Sequence, residues 1–85
     1  MNFIYPQFRK LLNEKSYYKI DSETHFTELQ RTGKMWTQTE IEARILPERN
    51  LVRDLLEASG KHYQVISEDD YITFREMCEK TLYRY

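Results

Sequence analysis

Glycine and proline are scarce in this chain, which has two of each among its 85 residues: Gly33 and Gly60, Pro6 and Pro47. With so few glycines no glycine-rich phosphate cradle can be written, which disfavours nucleotide-dependent chemistry. Few breakers also place most residues in regular elements. Cysteine is scarcer still. The lone Cys78 excludes an intramolecular disulfide and a multi-cysteine zinc site within one chain. No apolar run is long enough for a signal peptide or a membrane span, and the opening MNFIYPQFRKLL turns polar within a few residues. A cytoplasmic protein with no membrane partner is the expectation. An excess of one charge is missing too. Thirteen basic residues face 14 acidic ones, for a net charge of −1, and both halves are nearly balanced. Steering toward nucleic acid or anionic lipid gets no support from that total.

Aromatic residues are abundant. Seven Tyr, four Phe and one Trp make 14% of the chain, more than so short a core can hide. Eighty-five residues are read as a single domain, residues 1–85.

Residues 6–14, PQFRKLLNE, predict a short helix, with Pro6 at its first position and Phe8, Leu11 and Leu12 at i, i+3, i+4. Residues 16–20 alternate as a strand. Asp21 and Ser22 then offer N-cap oxygens for a helix carrying Phe26 and Leu29 and ending near Gly33. Residues 35–46 alternate with period two and are read as a strand, although Ile41 and Ile45 would also share a helix face. Pro47 opens a helix striped by Leu51, Leu55 and Ala58 and closed by Gly60. Residues 62–66 form a further strand. Ser67 caps a last helix, with Asp70 completing a capping box and Glu68, Asp69 and Asp70 at its positive end.

The fold class is therefore α+β: a small sheet of about three strands with three to four helices mainly on one face. An echo supports internal symmetry. YYKIDSETHFTEL (17–29) and HYQVISEDDYITF (62–74) match at Tyr18/Tyr63, Ser22/Ser67 and Glu23/Glu68. Either a pseudo-twofold helix-strand-helix duplication or convergence on common strand and cap signals accounts for it. Both place the same side chains inside: Phe8, Leu11, Leu12, Tyr18, Ile20, Phe26, Leu29, Ile41, Ile45, Leu51, Leu55, Val65, Tyr71, Phe74, Cys78 and Leu82.

No motif specifies a reaction. His25 and His62 lie in no catalytic signature, and Cys78 shares an apolar helix stripe rather than a basic neighbourhood. Glu68, Asp69 and Asp70 diverge around a helix axis and suit dipole compensation better than metal binding. Glu40 and Glu42 share a strand face, but nothing supplies a second wall for acid–base work. Neither catalysis nor a metal or other cofactor is expected.

The leading expectation is a non-enzymatic interaction module that binds a protein partner or itself as a homodimer. It would use an aromatic-rich sheet face or strand edge bearing Tyr17, Trp36, Tyr83 and Tyr85. The alternative is a small nucleic-acid-binding protein. Its contacts would be Arg9, Lys10, Lys15 and Lys19, interleaved with aromatics, together with Arg49 and Arg53 at i, i+4.

Overall fold

Four consecutive strands run up and down: β1 (Gln7–Leu11), β2 (Ser16–Ser22), β3 (His25–Thr32) and β4 (Met35–Glu42). Helix α1 (Leu46–Glu57), strand β5 (Tyr63–Val65), helix α2 (Glu68–Thr81) and the two-residue β6 (Tyr83–Arg84) follow. The computed structural model describes residues 3–58 and 62–84. All six strands join one sheet in the order β5-β1-β2-β3-β4-β6. Every pairing is antiparallel except β4 with β6.

The expected sheet of about three strands, with three to four helices mainly on one face, is thus replaced by a larger sheet with a helix on each side. Helix α1 packs on Tyr18, Ile20 and Phe26 through Val52, Leu55 and Leu56. Helix α2 packs on Phe8, Leu29 and Trp36 through Tyr71, Phe74 and Cys78. Neighbours in a strand point to opposite faces, so Tyr18 looks to α1 while Tyr17 looks to α2, where its ring stacks on Phe74 at 3.8 Å and 9°.

Two segments read as helices are strands. Residues 6–14 contain β1, and residues after Ser22 form β3. Phe8 with Leu11, and Phe26 with Leu29, lie three apart, which on a strand puts them on opposite faces. Each face has its own helix, so both members of a pair are covered. A strand buried on both sides loses its alternation and imitates a helical stripe.

The duplication fails at the same point. The first copy is strand-strand-strand, the second helix-strand-helix. Ser22 Oγ accepts the N–H of Thr24, two residues on, in the β2–β3 turn. Ser67 Oγ accepts the N–H of Asp70, three residues on, and Asp70 returns a bond to the Ser67 N–H, the expected capping box. The acidic triplet Glu68, Asp69 and Asp70 favours the helix at the second site. The first has only Glu23.

Gly33 is not a helix terminus but the first residue of the two-residue β3–β4 turn. Its φ is 61° and Lys34 has no positive φ, the type II′ pattern that glycine admits without cost. Pro47 does open α1, where the Glu48 carboxylate accepts the N–H groups of Arg44 and Ile45. Ala58, at φ 44°, ends that helix, and Gly60 lies outside the described residues.

Of the expected core, Leu12 (51% exposed), Ile45 (60%) and Val65 (59%) are at the surface. Leu12 is in the β1–β2 turn, Ile45 precedes α1, and Val65 sits on the edge strand β5. Trp36, Ala43, Val52 and Leu56 are buried instead.

Candidate interaction edge

Strand β4 is held along its whole length by β3, from Thr32–Met35 to His25–Glu42. On its other side β6 pairs only with Met35 and Trp36. Beyond Trp36 its outer edge has no strand partner among the described residues. The ladder fixes which backbone groups face outward. The Ala43 N–H bonds inward to Thr24 O, while Lys34 O bonds outward to the Tyr83 N–H at 2.8 Å. Antiparallel residues alternate between the two directions. The N–H and C=O of Gln38, Glu40 and Glu42 therefore point away from the sheet, over about 17 Å of edge.

Side chains alternate along the same stretch. Gln38, Glu40 and Glu42 share the face that carries α2, yet all three are exposed. Thr37, Thr39 and Ile41 lie on the α1 face. Glu42 accepts a 2.7 Å bond from Arg44 Nη2, which lowers its pKa. Glu40 makes no ion pair among the described residues. The expected pairing of Glu40 and Glu42 on one strand face is thus met, with open solvent over both.

Comparison with protein-family models, curated proteins and solved structures found no match.

Among the described residues, the aromatics expected at the contact face do not form one surface. Trp36 is 2% exposed, set under α2 with the Arg84 guanidinium 5.2 Å over its ring. Tyr17 is half-buried against Phe74, and only Tyr83 is open, at 72%. Tyr85 lies outside the described residues. The expected open aromatic face is closed because the sheet has a helix on both sides.

The basic residues do not converge either. Arg9 is 3% exposed and projects toward α1, where Nε donates to Leu55 O (2.8 Å) and Nη2 to Leu56 O (3.1 Å). Lys10 and Lys19 lie on the opposite face, bound to Glu14 at 3.0 Å and Asp21 at 3.8 Å. Lys15 is exposed beside the β1–β2 turn. Arg49 and Arg53 line a groove of about 450 Å³ floored by Val52 and Leu56, together with the acidic Glu23 and Glu57. A phosphate-tracking surface would need one face; these residues occupy two.

The nucleophile and base candidates stand apart. His25, the first residue of β3, has Nδ1 3.1 Å from Asp21 of β2, and His62 is exposed beside Tyr63. Cys78 is fully buried, and burial raises its pKa, the opposite of what activates a thiol. No helix among the described residues is long and apolar enough to cross a membrane.

Buried phenols predict alkaline sensitivity. Burial pushes Tyr71 up to about 12 from 10.0. Tyr18, whose hydroxyl donates to Glu28 at 2.9 Å, is raised by burial and by that carboxylate. Both favour the neutral phenol in the fold. Their contribution is complete below pH 10 and is lost as pH rises past it. The urea midpoint is expected to fall between about pH 10 and about pH 12, with Tyr71 alone accounting for about 2–3 kcal/mol of the full loss. Tyr71→Phe should flatten that fall; an unchanged profile would show that ionisation of this phenol is not the cause.

Proposed function

We propose that this protein is a non-catalytic interaction module that receives a partner strand on the outer edge of β4. The supporting observation is the row of outward N–H and C=O groups at Gln38, Glu40 and Glu42, on a strand paired along its whole length with β3. An open edge is a template for strand addition, in which main-chain bonds supply affinity and alternate side chains supply choice.

Magnitude sets a limit on the backbone's share. Net main-chain bonds of about 1 kcal/mol each give on the order of 4–6 kcal/mol before the cost of ordering the partner. The lower figure corresponds to about millimolar affinity, and the cost of ordering the partner brings the higher one down toward it. Side chains must supply any tighter binding.

Self-association is the weaker form of this reading. In the centred antiparallel register of two β4 edges, Gln38 meets Glu42 and Glu40 meets itself. Like charges directly opposite destabilise a pair. The chain is expected to sediment as a monomer, and the double variant Glu40→Val/Glu42→Thr to associate. A wild-type dimer that survives Glu40→Pro would remove the edge from consideration.

A proline substitution tests strand addition directly. The Glu40 N–H points outward, so Glu40→Pro removes a docking donor while leaving the β3 ladder intact. Peptides selected from a displayed library on the wild-type protein are expected to lose binding to Glu40→Pro, with the two proteins alike in circular dichroism. Selected peptides that bind both equally would refute edge docking.

A further inference from the structure

We infer that the strand accepted by β4 is basic, with Lys or Arg alternating with Thr, Val or Ile. The inference rests on the edge-docking reading above and adds the partner's chemistry. Glu40 and Glu42 are two apart on one strand face, so their Cα atoms are about 7 Å apart. Both are exposed. Their inward neighbours across the β3 ladder are Thr27 and His25. Thr27 is 5% exposed and carries no charge, and His25 is held by Asp21 at 3.1 Å. Among the described residues no cation answers Glu40. Glu42 has Arg44, but that pair is at the surface, with side chains 58% and 78% exposed, and is readily exchanged.

A strand laid along the edge puts its own side chains directly opposite these carboxylates, at the distance where opposite charges attract and like charges repel. Lysine or arginine at alternate positions meets Glu40 and Glu42, while Gln38 accepts either polar type. The partner's other face meets Thr39 and Ile41, where β-branched side chains pair well on a pleated surface. The exposed Ile45 and Leu46 follow Glu42 after three residues and offer an apolar end stop. A second copy of β4 fails the charge requirement, because it brings glutamates to glutamates.

The test uses two capped peptides, Thr-Lys-Val-Lys-Thr-Lys-Val and its counterpart with Glu for every Lys, titrated into the full chain and followed by amide chemical shifts. The lysine peptide is expected to bind about tenfold or more tighter than the glutamate peptide and to weaken with added salt. Shifts should centre on Gln38, Glu40 and Glu42. In Glu40→Lys/Glu42→Lys the preference should reverse. Equal binding of both peptides, each lost in Glu40→Pro, would overturn the charge preference and leave the edge standing. Lysine-peptide binding that survives Glu40→Pro would overturn the edge itself. No binding of either peptide at millimolar concentration would overturn both.

Discussion

Arg9→Met is expected to destabilise the domain by about 3 kcal/mol, against a total of about 4–13 kcal/mol for a chain of this length. The guanidinium is enclosed between β1 and the end of α1. It donates to Leu55 O, Leu56 O and Phe8 O, with Nη1 also reaching Gln7 Oε1 at 3.1 Å. It makes no ion pair among the described residues. What balances its charge is the negative end of α1, a helix with no basic residue in its own last turn. Burial lowers its pKa, but a guanidinium stays protonated in proteins, so the contribution persists across the working pH range.

Methionine fills much of the same space and removes every donor. The Leu56 carbonyl then loses this donor, at a cost of about 1–3 kcal/mol, whereas Phe8 O keeps the Ile66 N–H and Leu55 O keeps the Ala58 N–H, both at 3.2 Å, and lose only the charged bond. Relief of the buried charge offsets part of that loss. Melting should fall by about 12–24 °C. Arg9→Lys should lie between, because an ammonium cannot fork to carbonyls on successive residues. Urea midpoints decide the matter: an Arg9→Met protein within about 1 kcal/mol of wild type would mean that the helix end needs no cap from β1.

This residue also shows where sequence reasoning stops. Beside Lys10 and among aromatics, Arg9 looks like a phosphate contact. Only the placement of β1 under the end of α1 turns it inward, and that depends on pairings between residues far apart in the chain. The second half was legible because its signals are local: Pro47 before an apolar stripe, Ser67 with Asp70, alternation from Met35 onward. The first half was not. Phe8, Leu11, Phe26 and Leu29 serve two cores from one sheet, and their spacing imitates a helix. The RTGKM stretch held a hairpin signal, since Gly33 stands just before the alternating run 35–42, but the run before it, 25–32, does not alternate and hid the first strand. The β4 edge followed from that hairpin, but that β6 covers only Met35 and Trp36 among the described residues is something no local pattern states.

Trp36→Ala is expected to cost about 3–5 kcal/mol and to loosen β6 as well as α2. The side chain is 2% exposed and belongs to the cluster of Phe8, Leu29, Tyr71, Phe74 and Cys78. It also carries the Arg84 guanidinium, and its backbone is where β6 pairs. A surface aromatic that anchors a partner behaves differently: its truncation leaves folding intact and removes binding. The two roles therefore separate in one variant. Trp36 is the sole tryptophan, so its fluorescence reports this cluster alone. Its emission should be blue-shifted and poorly quenched by acrylamide in the native protein, moving to the red in the same urea transition that circular dichroism records. Trp36→Phe should retain most of the stability, because the ring still fills the space under α2. A native-like Trp36→Ala protein, or a readily quenched tryptophan, would mean that α2 does not cover this face. The aromatic contact surface would then return as a rival to the β4 edge.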